Sequence, residues 1–303
     1  MPEALTRYQT SLEDSARWEG FRFRPGDIVI SAPSKTGTTW TQMICALLVF
    51  QTADLPAPLT TLSPWMDMCV RPVSQVFEHL EAQTHRRFVK THTPLDGVPA
   101  DSRVTYLAVA RHPLDVAVSL RHQGNNLDRD VIGRLLSEPA PSETGSSSLA
   151  ASDERSSLLR WMNNDQSPLE NLDSLRGLIW QTSMAWSRRD QPNVVLVHYS
   201  DLSTDLEAGM RRIADRLEVV VPDQTWPGLV EAATFALMKK RSADLVPDER
   251  LGIMKSTDAF FRSGSGGEWR QWLTDEDLAR YDARVAELAA PDLAAWLHHG
   301  SRH

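Results

Sequence analysis

The stretch "SAPSKTGTTW" (residues 31–40) joins two apolar segments, "DIVI" before it and "TQMICALLVF" after it. A turn between a buried strand and a buried helix needs a glycine, but it does not need a lysine and three threonine hydroxyls. Strand, tight turn and helix together form a phosphate cradle, because free N–H groups and the positive end of the helix dipole face an anion. The stretch therefore predicts a phosphate-binding turn.

Each polar residue of this turn has a predicted part in binding the anion. Gly37 lets the backbone approach it, Lys35 supplies a point charge, and hydroxyls come from Thr36, Thr38 and Thr39. The turn is not a Walker A loop, because the lysine precedes the glycine and no glycine opens the loop. The alternative is a helix N-terminus that is merely rich in threonine. It would explain the threonines as capping residues, but it would not explain Lys35.

Composition excludes several classes of protein. The net charge is −8, from 32 basic and 40 acidic residues, so we expect no nucleic-acid partner. Two cysteines, Cys45 and Cys69, are too few for a disulfide framework or a four-ligand metal site, and we expect no metal. The polar N-terminus is unlike a signal peptide, and the longest apolar run, 43–50, is too short to cross a bilayer. These features predict a cytoplasmic enzyme without a transmembrane segment.

Four runs rich in β-branched residues are apolar nearly throughout, as strands covered on both faces are. They are residues 27–31, 87–91, 104–110 and 193–199. Helical patterns follow three of them, at 39–50, 113–122 and 200–219, the last with Ser200 or Asp201 as its cap. The alternation predicts an α/β fold with a mostly parallel sheet in one domain, residues 1–303.

Residues 137–157 differ from the rest of the chain, since they carry eight serines and almost no large apolar side chain. Such a segment cannot build a core and is typical of a mobile surface loop. Because the sheet pattern resumes after it, we predict that 125–175 is a polar insertion or lid within the single domain.

Two further segments could hold anions. In "VARHPLDVAVSL" (109–120), Arg111 ends a strand and Ser119 lies about two turns along the helix that follows. An ion pair between Arg111 and Asp115 is the alternative. In "FFRSGSGGEWRQWLT" (260–274), glycines and serines surround Arg262, although a glycine-rich linker would look similar.

Together these segments resemble the sulfotransferase family that uses 3′-phosphoadenosine-5′-phosphosulfate (PAPS). "SKTGTTW" resembles its 5′-phosphosulfate loop, "RHPLDVAVS" its 3′-phosphate element and "FRSGSGGEW" its C-terminal Arg-Lys-Gly-x-x-Gly-Asp-Trp element. "FVKTHTP" (88–94) resembles its catalytic strand end and "HYSDL" (198–202) its Tyr-Glu-Asp element. The runs "THTPLDG" and "SPW" resemble in particular actinobacterial glycolipid sulfotransferases.

The resemblance implies a P-loop-NTPase-like fold of three layers, α/β/α, with PAPS as co-substrate and 3′-phosphoadenosine 5′-phosphate (PAP) as product. It implies that the 5′-phosphate is held by Lys35, Thr36, Gly37, Thr38 and Thr39. It places at the 3′-phosphate Arg111, Ser119, Arg262 and Gly264. The nucleotide's adenine would meet Trp40, Phe235 and Tyr199, and Phe261 is assigned to the same nucleotide site.

The chain departs from the family pattern in the third segment. Ser263 stands where the family usually has lysine, which predicts a 3′-phosphate site weaker by one charge. Glu268 replaces aspartate, and the dimerisation segment of the animal enzymes is not reproduced in "RQWLTDEDLARY". A homodimer stays possible, but the mode of pairing of the animal enzymes is not expected to apply to it.

The resemblance also implies catalytic roles, assigned to His92, Lys35, Lys90 and Ser119. His92 would be the general base, because an imidazole titrates in the range needed to take the acceptor's proton. Lys90 lies two residues back on the same strand face and would stabilise the sulfuryl oxygens. A loop histidine bonded only to backbone is the alternative for His92.

An acceptor with a hydroxyl, whether a small phenolic molecule, a lipid or a glycolipid, would suit an apolar mouth. We expect that mouth to be lined by Trp65, Met66, Met68 and Phe77. Two other functions stay open at this point: a P-loop nucleoside-type kinase, which would need Gly-Lys-Ser/Thr, and a non-catalytic nucleotide-binding protein.

Overall fold

A four-stranded parallel sheet lies at the centre of the computed structural model, which describes residues 4–136, 153–245, 252–256, 258–262 and 264–301. The strand order is β2-β1-β3-β4, with Ile28 opposite Phe88 on one side and Thr105 on the other. The strands are β1 Ile28–Ser31, β2 Phe88–Thr91, β3 Thr105–Ala110 and β4 Val194–His198. The predicted strands are confirmed to within one residue at each end.

The described residues also form α-helices around the sheet and four short 3₁₀ turns. The helices are α1 Thr38–Phe50, α2 Leu59–Leu62, α3 Val73–Ala82, α4 Pro113–Asn126, α5 Arg129–Leu135, α6 Glu154–Met162, α7 Leu175–Trp186, α8 Tyr199–Thr204, α9 Leu206–Arg216, α10 Trp226–Ala232, α11 Phe235–Lys240, α12 Ser242–Leu245, α13 Asp275–Leu288 and α14 Pro291–His299. The 3₁₀ turns are Ser15–Trp18, Asp223–Thr225, Asp258–Phe260 and Glu268–Gln271. No helix within the described ranges is long and apolar enough to cross a membrane.

Alternate residues of β1 enter two different cores. Ile28 and Ile30 pack in a cluster with residues of α1, α9 and α10, whereas Val29 packs in a second cluster with Trp18 and Leu80 of α3. Helices therefore cover both faces of the sheet, which explains why the strands are apolar throughout. The predicted three-layer α/β/α fold is confirmed.

The prediction of a single helix over 200–219 is wrong. The chain forms α8, whose N-cap is His198, and then α9, which begins after Asp205. Asp205 is extended, with φ −145°, and its side chain accepts a hydrogen bond from the N–H of Ala208. The aspartate starts a new helix because it caps the first turn of α9 better than it continues α8.

The polar insertion is only partly within the described residues. Residues 137–152 lie outside them, and the part from Glu154 onward is helical in α6, where the Asp153 side chain accepts from the N–H of Ser156. The predicted loop therefore ends before residue 154 and not at 157. Leu127 and Ile132 line the cavity described below, so the flank of the insertion reaches it, and a lid stays a prediction.

Candidate active site

A cavity of about 600 Å³ opens where the four strands end. Residues that follow each strand line it, which is where ligands of open α/β sheets bind. Every residue predicted to bind the nucleotide or to take part in catalysis lines this cavity except Thr36. They are Lys35, Gly37, Thr38, Thr39, Trp40, Lys90, His92, Arg111, Ser119, Tyr199, Phe235, Phe261, Arg262 and Gly264.

The turn after β1 is built from left-handed backbone. Lys35 has φ 67° and Gly37 has φ 110°. A Cβ at Gly37 would lie 3.0 Å from Cδ2 of Tyr199, so a larger residue is disfavoured both by backbone conformation and by space. The hydroxyl of Thr36 donates to the Pro33 carbonyl at 2.8 Å and stabilises the turn itself. Thr36 is thus fully buried and not a free hydroxyl donor to the cavity.

The start of α1 offers donors to an anion. Its N-cap, Gly37, has no side chain to cap the helix, so the first N–H groups of α1 lack a capping partner. The hydroxyl of Thr38 is buried at the same place and has no partner among the described residues. An orphaned buried hydroxyl beside an uncapped helix N-terminus fits a phosphate group.

Three cations act on one another in this cavity. Burial, followed by the positive charges of Lys90 and Arg111, lowers the pKa of Lys35 to about 7. The Lys35 ammonium lies 3.3 Å from Oε1 of Gln123 and 4.3 Å from the centre of the Phe260 ring. Such a concentration of positive charge favours a multiply charged anion.

Arg111 is held by neighbours other than its expected ion-pair partner. Its guanidinium lies 4.2 Å from the centre of the Tyr199 ring and donates to the Ser265 carbonyl at 3.1 Å. Its Nε is buried without a partner among the described residues. Asp115 instead accepts from the N–H of Gly267 at 2.6 Å, so the alternative reading of an Arg111–Asp115 pair is not supported.

The C-terminal glycine segment packs directly onto the aromatic residues of the site. A Cβ at Gly264 would lie 2.6 Å from the Phe235 ring, and the Tyr199 hydroxyl donates to the Gly264 carbonyl at 3.2 Å. Arg262, predicted at the 3′-phosphate, forms an ion pair with Glu268. Ser263 lies outside the described residues, so its effect stays a prediction.

Trp40 is fixed in place at the same end of the cavity. Its Nε1 donates to the Ala233 carbonyl at 2.8 Å, and its ring meets Tyr199 edge-on at 5.1 Å between centres. The rings of Phe235 and Phe261 meet edge to face, with 6.1 Å between their centres. Rigid aromatic faces of this kind suit a stacked base.

His92 follows β2 and has a defined tautomer. Its Nδ1 lies 2.5 Å from the Ala32 carbonyl, which can only accept, so Nδ1 carries the proton and Nε2 keeps a lone pair. Burial and then the charge of Lys90 hold the pKa of His92 well below its usual value. The imidazole is therefore neutral at pH 7. It is bonded to backbone and also lines the cavity, so it can accept a proton there.

The strand end that carries His92 is braced by residues that no motif indicated. Oδ2 of Asp67 accepts three hydrogen bonds, each of 2.9 Å, from the hydroxyl of Thr91, the N–H of His92 and the hydroxyl of Thr93. Gln181 of α7 donates to the His92 carbonyl at 2.9 Å. These contacts join distant parts of the chain and leave no local pattern in the sequence.

The lining of the acceptor mouth differs from the predicted one. Trp65 and Met68 do line the cavity, and the Lys90 ammonium lies 3.3 Å from the centre of the Trp65 ring. Met66 is fully buried in the core, and Phe77 packs beside Phe21, so neither lines the cavity. Met66 packs instead in the cluster that contains Val29 and Leu80.

The cavity also includes residues that sequence reasoning did not find. Among them are Leu12, Glu13, Gln123, Asp173 and Phe260. Aromatic Phe260 stood in a quoted motif, but the other four had no distinguishing signal.

Comparison with known proteins identifies the family of the chain. A family model described as "Sulfotransferase domain" matches residues 25–291. A glycolipid sulfotransferase of Mycobacterium bovis is 40% identical, over 97% of this chain and 94% of the relative. One from Mycobacterium tuberculosis is 39% identical over the same shares. Rat sulfotransferase 1 family member D1 is 25% identical over 92% of this chain and 88% of its own length.

Solved structures share the fold at lower identity. Retinol dehydratase in complex with retinol and PAP has a TM-score of 0.67 at 23% identity, covering 90% of this chain and 84% of that protein. Mouse sulfotransferase SULT7A1 complexed with PAP has a TM-score of 0.67 at 18% identity, covering 93% and 91%. The match over residues 25–291 and the 40% identity to the mycobacterial relative establish that the chain belongs to the sulfotransferase family.

Proposed function

We propose that this sulfotransferase moves a sulfuryl group from PAPS to a hydroxyl of a glycolipid, with His92 as the general base. The observation that carries the proposal is a single cavity that joins an uncapped helix N-terminus and three cations to a neutral imidazole. A kinase or a non-catalytic binding protein would not need that imidazole beside the phosphate turn.

The donors of the cavity fit a doubly phosphorylated adenosine. The 5′ end would be held by the N–H groups of α1, the hydroxyl of Thr38 and Lys35. The 3′-phosphate would be held by Arg111, Ser119 and Arg262, with Arg262 exchanging Glu268 for the ligand. Adenine would lie against Trp40 and Phe235, where base-on-aromatic stacking contributes about 1–3 kcal/mol per base.

The nucleotide supplies an activated sulfuryl group when it is bound. His92 takes the proton of the acceptor hydroxyl at Nε2, because Nδ1 is held by the Ala32 carbonyl. Lys90, 5% exposed and covered by Trp65, places its charge where sulfuryl oxygens develop more negative charge. Lys35 does the same for the phosphate that leaves. The chain therefore contributes position and charge rather than a covalent intermediate.

The acceptor is proposed from the relatives and the lining of the cavity. Two mycobacterial relatives are named as glycolipid sulfotransferases. Beside Lys90 and His92, the cavity wall is apolar at Leu12, Trp65 and Met68, which suits the lipid part of such an acceptor. No metal is part of the proposal, so activity in excess chelator should equal activity without it.

The proposal is tested by two measurements on the same preparation. Calorimetry should show that PAP binds at least about tenfold more tightly than ATP, because only PAP carries the 3′-phosphate for Arg111 and Arg262. Transfer of labelled sulfate from PAPS to glycolipid acceptors should then be detectable. Tighter binding of ATP, or phosphate transfer from it, would favour the kinase, and PAP binding without any transfer would favour a non-catalytic protein.

A further inference from the structure

We propose that Glu13 and Asp173 bind hydroxyls of the acceptor's sugar and make the enzyme select a glycoside over a simple phenol. This inference rests on the proposed function, since it concerns the acceptor end of the same cavity. Both residues line that cavity together with Lys90 and His92.

Glu13 is held on the wall beside the reacting groups. Its backbone forms a bridge with Met68, and the neighbouring Leu12 carbonyl accepts from the N–H of Cys69 at 2.7 Å. The same segment pairs with β2 through a bridge between Trp65 and Lys90. Glu13 is therefore placed by backbone hydrogen bonds and not by a flexible loop.

Asp173 enters the cavity from a different part of the chain. It directly precedes Ser174, the N-cap of α7, and the Ser34 hydroxyl of the phosphate turn interacts with its carboxylate. The same helix brings Gln181 to the carbonyl of His92. Two carboxylates thus reach the acceptor space from two separate parts of the chain, and Asp173 directly precedes the helix that bonds the backbone of His92.

The two carboxylates repel each other. Burial raises the pKa of Glu13 well above its usual range, and the charges of Asp67 and Asp173 raise it further, while the attraction of Lys90 is a smaller effect. Glu13 is half-buried and Asp173 is exposed on the cavity wall, so the hydroxyls of a ligand can reach both carboxyl groups. Two adjacent carboxyl groups that only accept hydrogen bonds gain most from a ligand that brings several donors.

A sugar has such donors and a phenol does not. The single hydroxyl of a phenol must go to His92, so a phenol brings no donor to Glu13 and adds none to the Ser34 hydroxyl at Asp173. The remaining hydroxyls of a glycoside can donate to Glu13 and Asp173 while one of them reacts. Sites built to bond a substrate hydroxyl reject analogues that lack it, because their buried polar groups are then unpaired.

The test compares kcat/KM for octyl β-D-glucoside, 4-octylphenol and octylamine, with PAPS as donor. Wild type should prefer the glucoside. In Glu13→Gln and in Asp173→Asn the glucoside-to-phenol ratio should fall about tenfold, since hydrogen bonds to a charged acceptor are roughly twice as strong as neutral ones. Exposed Glu19→Gln and Asp190→Asn are charge-matched controls and should keep the wild-type ratio.

Three results would overturn the inference. One is an unchanged ratio in both variants, and another is a wild-type preference for the amine, which would mean that the carboxylates bind a cation. A third is sulfation of the phenol but not of the glucoside, which leaves the transferase activity standing. A protein that binds PAP but sulfates none of the three acceptors contradicts the proposed function itself, and the inference falls with it.

Discussion

The two ends of the cavity are built in different ways. At the nucleotide end the chain uses short continuous segments, and those that carry Lys35, Arg111 and Tyr199 lie directly after a strand. At the acceptor end the wall is assembled from residues far apart in the chain, such as Glu13, Trp65 and Asp173. One end depends on backbone geometry at strand ends, and the other depends on the packing of separate elements. Substitutions at the nucleotide end should therefore change PAP binding, and substitutions at the acceptor end should change the kinetics with the acceptor.

The largest effect is expected at His92, which lies between the ends. His92→Ala should lower turnover about 10²- to 10⁴-fold, the usual contribution of a general base. Binding of PAP should persist, because no proposed nucleotide contact is lost. Exposed His79→Ala is a matched control. Steady-state kinetics and calorimetry check both quantities, and turnover near wild type in His92→Ala would remove this residue from the mechanism.

At the nucleotide end, Lys35→Ala should weaken PAP binding about 10- to 100-fold, the worth of a hydrogen bond to a charged group. The rate should fall as well, since the same ammonium faces the leaving phosphate. Calorimetry measures the affinity and single-turnover kinetics the rate. An unchanged affinity would contradict the phosphate-binding role of the turn.

Lys35 also predicts a pH dependence of binding. Burial and the charges of Lys90 and Arg111 lower its pKa to about 7, so above pH 7 the free protein increasingly lacks the charge that PAP needs. A bound anion raises that pKa, so affinity should fall up to about tenfold per pH unit above 7, with proton uptake on binding. Calorimetry at pH 8 in two buffers of different ionisation enthalpy measures the uptake.

The control for this pH effect is Lys35→Met, which has no titrating group at the position. This variant should bind PAP more weakly, and its affinity should no longer fall as the pH rises above 7. The same slope in the variant would assign the proton to another group in the cavity.

Two tryptophans sharpen the comparison between the ends most directly. Trp40→Ala should weaken PAP binding about 5- to 100-fold through lost stacking and leave the acceptor KM nearly unchanged. Trp65→Ala should lower kcat/KM for the acceptor about 3- to 30-fold, because it removes the ring over Lys90, and leave PAP affinity within about twofold. If both variants weakened PAP binding equally, the two ends of the cavity would not act independently.

The same difference explains what sequence could predict. The strands and the nucleotide end follow from local patterns, and the structure brings Lys35, Arg111 and Gly264 to one cavity. Helix 200–219 was predicted as one piece because apolar periodicity runs through it, but the capping side chain of Asp205 divides it.

The acceptor end could not be predicted in the same way. Met66 belongs to the core, although its neighbours Trp65 and Asp67 both serve the site. Asp67 braces His92 across 25 residues of sequence, and nothing local distinguishes it from a surface aspartate. Tertiary packing decides which side chains of that wall face the cavity.

A crystal structure of the protein with PAP tests the central claim most directly. The account predicts the 5′-phosphate at the N-terminus of α1 within hydrogen-bond distance of Lys35, with the His92 imidazole beside that phosphate and Glu13 and Asp173 beyond it. A nucleotide bound elsewhere, or one whose 5′-phosphate lies away from His92, would contradict the account.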